Sequence, residues 1–150
     1  MLRLSKLTDY AVVVLAGLDR AERNRRVMAV PEIALASGLA EPTVAKVLKI
    51  LGQAGLVEGL RGARGGYRLG RALHEIPLSD VIVAFVGPIA LTACVDGASG
   101  GCEAEAMCPV RGRWDPVNRA IRDALAHVTI ADLAGPARCH GIPAPLVLNA

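Results

Sequence analysis

Three cysteines, Cys94, Cys102 and Cys108, fall within fifteen residues in the spacing Cys-x7-Cys-x5-Cys, on a stretch rich in Gly and acidic side chains. Thiolates bind soft and borderline metals, and a Gly-rich loop can fold its ligands around a cluster where a rigid strand cannot. Neither the Cys-x2-Cys pairs of zinc ribbons nor the zinc-finger spacing is present, which leaves a zinc site open but less favoured. Three cysteines leave one position for a carboxylate, a histidine, solvent or a partner chain, which makes the site labile. The neighbours Asp96, Gly97, Ser99, Gly100, Gly101, Glu103 and Glu105 are polar and offer no core for a buried free cysteine. A metal-free thiol-disulfide switch stays open as an alternative. The fourth cysteine, in Cys139-His140, lies beyond the last periodic segment and reads as a tail pair or a spare ligand.

A second constellation is basic. Residues 1 to 76 hold 12 Lys and Arg against 7 Asp and Glu, while residues 77 to 150 hold 5 against 7. Thr43, Lys46 and Lys49 supply the short polar group and the cations that a helix presents to base edges and phosphates in a major groove. Glu41 beside them repels phosphate, accepts from a cytosine, or favours the helix start. Arg61, Arg64, Arg68 and Arg71 follow within eleven residues with no acid between them, interleaved with Gly62, Gly65 and Gly66. Glycine lets backbone approach a groove, and arginine suits a narrow minor groove.

The elements that must position these residues are legible from periodicity. Leu4, Leu7, Ala11, Val14, Leu15 and Leu18 mark an amphipathic helix. Val30-Pro31-Glu32 opens a short helix that stops at Ser37-Gly38, and Pro42 starts another through Val44, Val47, Leu48 and Leu51. Two short helices joined by a Gly-containing turn form a helix-turn-helix signature. Leu56 to Leu60 and Tyr67 to Leu69 read as strands around the Gly-rich turn, the wing of a winged helix. Pro77 to Val86 is a further helix, and Thr92 to Met107 a loop. Apolar residues at Val110, Trp114, Val117, Ile121, Ala124 or Leu125, and Val128 make a helix-helix seam, kinked or restarted at Asp115-Pro116, as in a dimerisation helix. Thr129 caps a last helix through Leu133.

The expected fold is therefore mainly α with a small β-hairpin wing. It comprises a winged helix-turn-helix DNA-binding domain at 1–76, a cluster-binding loop and long C-terminal dimerisation helix at 77–134, and a weakly ordered tail at 135–150. With 53% hydrophobic but only 3% aromatic residues, the core must be aliphatic, which favours packed helices. The longest stretch without a charge, Val81 to Val95, is 15 residues and is broken by Gly87-Pro88, short of the roughly 20 that a membrane span takes. Asp9 enters the first apolar run and no cleavage site follows it, so a cytoplasmic chain without membrane contact is expected. His74, His127 and His140 are scattered, no phosphate loop or hydrolase motif is present, and an enzyme is not expected.

Several stretches together resemble the winged-helix iron-sulfur regulators of the IscR and NsrR type over residues 1 to 134. They are Leu4 to Ala11, Thr43 to Val57, Arg61-Gly62-Ala63-Arg64-Gly65-Gly66-Tyr67-Arg68-Leu69, and the three cysteines. The likeness is strongest to regulators of the SUF iron-sulfur assembly system, through LSKLTDYAVVVL, PTVAKVLK, RGARGGYRL and GPIALTAC. The resemblance implies a homodimer that crosses its C-terminal helices and binds a palindromic operator in double-stranded DNA. It also implies a 2Fe-2S or 4Fe-4S cluster on the cysteine loop of each subunit, and repression of iron-sulfur assembly genes according to cluster status. A zinc-stabilised or thiol-redox winged-helix regulator and a nitric-oxide-sensing repressor are the alternatives. Where the IscR branch has a histidine ligand three residues after the third cysteine, this chain has Arg111, which has no lone pair to give. Asp9 matches the aspartate that reaches the partner subunit's cluster in the NsrR branch, and the resemblance so implies Asp9 as fourth ligand. The first two cysteines are farther apart than in either branch.

Overall fold

The computed structural model describes residues 4–22, 27–95, 101, 103 and 105–135. Helix α1 (Lys6–Glu22) starts beside Ser5, whose hydroxyl accepts a hydrogen bond from the Thr8 amide at 3.3 Å, two residues later than the apolar pattern alone places it. Its inward face, Ala11, Val14, Leu15 and Leu18, is fully buried. Helix α2 (Val30–Ser37) carries Pro31 in its first turn, and the Ala29 amide donates to the Glu32 carboxylate at 2.9 Å. It ends at Gly38, whose φ of 70° lies in the left-handed region that glycine enters without strain. Helix α3 (Glu41–Gln53) turns Val44, Val47, Leu48 and Leu51 into the core. Helices α1, α2 and α3 pack on one another around these aliphatic side chains.

Strands β1 (Val57–Leu60) and β2 (Gly66–Leu69) form an antiparallel hairpin in which Val57 faces Leu69 and Glu58 faces Arg68. Periodicity gave no sign of a further rung. Met28 bridges to Tyr67, its amide donating to the Tyr67 carbonyl at 3.1 Å and its carbonyl accepting from the Tyr67 amide at 2.8 Å. That rung ties the wing's second strand to the entry of α2. The approach depends on Gly66, because a Cβ there would stand 2.6 Å from the Met28 carbonyl oxygen.

Helix α4 (Leu78–Val86) follows a short 3-10 turn at Leu73–Glu75 and ends at Gly87. The chain then runs through Cys94 to a second 3-10 turn at Glu105–Met107 and into α5 (Asp115–His127). The apolar seam expected from Val110 becomes helical only at Asp115. Gly112 takes φ 71°, a left-handed value that interrupts a right-handed helix, and Pro116 has no amide to continue a ladder from upstream. Val110 and Trp114 therefore precede the helix, in consecutive turns, and α5 is 13 residues long. Of its own residues only Asn118 is buried, and Val110, Trp114 and Val117 of the seam are exposed.

Helix α6 (Ile130–Ala134) returns the chain to α1. The Leu78 amide donates to the Val128 carbonyl at 2.8 Å and the Ile130 amide to the Ile76 carbonyl at 2.9 Å, around a Pro77–Thr129 bridge. Thr129 caps α6: its hydroxyl accepts from the Asp132 amide at 3.3 Å, and its own amide donates to the Asp132 carboxylate at 2.9 Å. Ile130 is fully buried in the same cluster as α1 and α3.

Two glycine substitutions separate crowding from chain freedom. Gly66→Ala is expected to lower stability by about 1–3 kcal/mol through overpacking against the Met28 backbone. Gly17→Ala, inside α1 with nothing within 4 Å of the added Cβ, is expected to raise it by roughly 0.5–1 kcal/mol. Urea unfolding of both variants measures the two signs.

Candidate nucleic-acid interface and cysteine site

Because Val44, Val47, Leu48 and Leu51 commit one side of α3 to the core, the other side is left to solvent. Lys46 and Lys49 stand exposed on it, as does Glu41 in the first turn, while Thr43 is half-buried. No described residue pairs with either lysine. The arrangement is a cationic helix face with its acid placed at the positive end of the helix dipole.

The wing is less uniformly available than its sequence suggests. Arg61 and Arg64 are exposed at the hairpin tip and have no ion pair among the described residues. Arg68, by contrast, grips Glu58 directly across the hairpin, its Nε at 2.9 Å and its second guanidinium nitrogen at 2.7 Å from the same carboxylate oxygen. Arg71 is held by Asp80 of α4 at 2.9 Å. The four arginines have no acid between them in sequence, yet two of them meet an acid through the fold. Cross-strand pairing supplied one partner and the packing of α4 the other. Both pairs are half-exposed, so each stabilises the fold by only about 0–1 kcal/mol. Their larger effect is on charge, since they neutralise two of the four wing cations.

The cysteine segment leaves α4 at Gly87. Cys94 and Cys108 are half-buried free thiols, and Cys94 Sγ lies 3.3 Å from the Thr92 hydroxyl. Cys102 and Cys139 lie outside the described residues. Among the described residues no group of three or more His, Cys, Asp and Glu side chains is gathered in metal-binding array. Two thiols are thus placed on the flanks of the segment, and thiolates are donors that suit a thiophilic metal or an iron-sulfur cluster. Asp9 is exposed, near the start of α1.

One residue of this region went unnoticed in the sequence. Asn118 is 3% exposed on α5, and its amide Oδ1 accepts from the Leu91 amide at 3.0 Å while its Nδ2 donates to the Ile89 carbonyl at 3.1 Å. The signal was a polar residue in the middle of the apolar seam, next to Val117. A buried amide that satisfies two backbone groups is costly to remove, because each partner would be left unpaired.

The family profile that matches residues 4–136 is Rrf2, described as iron-dependent transcriptional regulators. The chain belongs to the Rrf2 family. It is 35% identical over 132 residues to protein aau3 of Rhizobium meliloti, covering 88% of this chain and 84% of that one. It is 30% identical over 132 residues to the HTH-type transcriptional regulator NsrR of Bacillus licheniformis, covering 88% and 92%. The global cysteine regulator CymR of B. subtilis superposes with a TM-score of 0.67 at 29% identity, over 89% of this chain and 97% of that chain. The T. potens IscR does so at 0.62 and 26%, over 91% and 93%. The winged-helix Rrf2 fold is thereby established, and with it a DNA-binding transcriptional regulator rather than an enzyme. Among the described residues no helix is long and apolar enough to cross a membrane.

The wing's charge accounting can be read from salt dependence. Arg64→Ala is expected to weaken duplex binding and to reduce the slope of log Kobs against log salt by about 0.9, the release of one counterion. Arg68→Ala should change the slope far less, whereas Glu58→Gln should steepen it by freeing Arg68. Fluorescence anisotropy across a salt series checks all three.

Proposed function

We propose that this Rrf2 protein is a homodimeric repressor of iron-sulfur assembly genes that senses cluster status through an iron-sulfur cluster. Cys94, Cys102 and Cys108 would hold the cluster, 2Fe-2S or 4Fe-4S, with Asp9 of the partner subunit as fourth ligand. The observation that carries this reading is the pair of unbridged, half-buried thiols Cys94 and Cys108 on a segment that joins the winged helix to α5. When bound, the cluster supplies iron–thiolate bonds that oxidants, nitric oxide or iron scarcity can break. The homodimer is supported by the exposed seam residues Val110, Trp114 and Val117, apolar surface that a second copy would cover. Thr43, Lys46 and Lys49 of α3 would enter the major groove of each half of a palindromic operator, with Arg61 and Arg64 on the flanking backbone or minor groove. Arg68 would join them only by leaving Glu58. The division into a DNA-binding unit at 1–76, a sensing and dimerising unit at 77–134 and a tail at 135–150 belongs to the same reading. So does a cytoplasmic location.

Iron, sulfide and zinc analysis of protein purified without oxygen, with a visible spectrum, tests it. Equal iron and sulfide with a brown chromophore is expected. Cys94→Ala, Cys102→Ala and Cys108→Ala should lose both while staying dimeric, with altered operator affinity, and Asp9→Ala should shed the cluster faster. Stoichiometric zinc without sulfide would replace this reading with a structural metal. Colourless, metal-free protein whose DNA binding follows thiol oxidation would replace it with a redox switch.

A further inference from the structure

We propose that Asn118 is the positioning residue of the cysteine segment: its buried amide closes the neck of the loop that carries all three cysteines and fixes Cys94 relative to α5. The half of this proposal that concerns metal rests on the cluster reading above; the half that concerns thiol placement does not.

Leu91 and Asn118 are 27 residues apart in sequence, and Cys94, Cys102 and Cys108 all lie between them. The stretch from Ile89 to Leu91 is neither helix nor strand, so its backbone groups need partners from elsewhere. Asn118 answers two of them with one planar group, accepting from Leu91 and donating to Ile89, much as an adjacent strand would. Leucine has the same γ-branched shape, but its two methyl groups are bulkier than the amide and could satisfy neither backbone group. Among the described residues Thr8 is the only other buried polar side chain, and its hydroxyl partner is Ser5, three residues away in the same helical turn. Among the described residues Asn118 alone uses a buried polar side chain to tie distant parts of the chain.

The consequence is preorganisation. Cys94 follows Leu91 by three residues and Cys108 precedes α5 by seven. With the neck closed, both flanking thiols are referred to the same helix. Closing a loop of this length costs conformational entropy, which a metal would otherwise have to supply on binding. The same tie makes α5 sensitive to any displacement of Cys94, because a shift of Leu91 must break or drag the Asn118 amide. Asn118 touches no metal in this scheme; it acts through the backbone.

The test uses the full chain with Asn118→Leu, which removes both hydrogen bonds, and Asn118→Asp, which keeps the acceptor for Leu91 and loses the donor to Ile89. In metal-free, reduced protein, the labelling rates of Cys94 and Cys108 by iodoacetamide are followed by peptide mass spectrometry. The ratio of Cys94 to Cys108 rates is expected to rise at least about tenfold in both variants, because each loses at least one buried hydrogen bond and a single such loss can change a population by about that factor. General loosening would accelerate both thiols alike, so an unchanged ratio in both variants overturns the proposal. In protein reconstituted with ferrous iron and sulfide, loss of visible absorbance to EDTA is expected to be about tenfold faster in Asn118→Leu than in wild type, for the same reason. An equal rate beside a raised labelling ratio overturns the metal half alone. Wild-type protein that develops no chromophore overturns the cluster reading, while the labelling ratio still decides the role of Asn118.

Discussion

The organisation of the molecule depends on a short backbone exchange that brings residues 76–78 beside residues 128–130. Leu78 donates to Val128 and Ile130 donates to Ile76, so the point where the chain leaves the winged helix is also the point where it returns. Everything between, α4, the cysteine segment and α5, is an excursion whose two ends are held at one place. The exchange works because Ile76 and Ile130 are both fully buried in the aliphatic cluster of α1 and α3. Hydrophobic burial seats the residues, and the paired amides then fix their register. A displacement within the excursion can reach α1 through this exchange, and through the packing of α4 and α6 on it. Asn118 repeats the device inside the excursion with a side chain in place of a second strand.

The wing shows a different kind of control, exerted through charge. Four arginines close together would give a strongly cationic hairpin with correspondingly strong attraction for any duplex. Glu58 and Asp80 reduce that excess locally and leave the net positive charge at the tip, on Arg61 and Arg64. Attraction to phosphate is thereby concentrated at the hairpin turn. An operator-reading protein gains from this arrangement, because nonspecific affinity scales with the number of free cations while sequence discrimination does not.

Most of the fold was legible because its signals are local. The Pro31 and Gly38 punctuation of α2, the 44, 47, 48, 51 spacing of α3, the Gly-rich wing and the Thr129 cap all express constraints satisfied within a few residues. The resemblance to iron-sulfur regulators rested on the start of α1, on Thr43 to Val57, on the wing and on the cysteine segment, and it holds as far as the Rrf2 family. What stayed hidden depends on residues far apart in sequence. The Met28–Tyr67 rung, the Arg71–Asp80 pair and the Asn118 tie are each defined by a partner that no periodicity names. The delayed start of α5 is an intermediate case: the seam pattern ran through Val110 and Trp114, and only the left-handed backbone at Gly112 reveals that they lie outside the helix. For the candidate site, the pattern of thiols is evident in sequence, but the side chain that sets their frame belongs to another element.

The scarcity of aromatic residues has an optical consequence. The chain has a single tryptophan, Trp114, and it lies partly exposed at the entrance of α5, six residues after Cys108, rather than in the core. The core itself is built from aliphatic side chains that do not emit. Intrinsic fluorescence excited near 295 nm therefore reports the environment of the cysteine segment and the start of α5 while being nearly blind to the packing of α1 against α3. The protein carries its own local probe, placed where a change at the thiols would be felt and where dissolution of the core would not be the first thing seen.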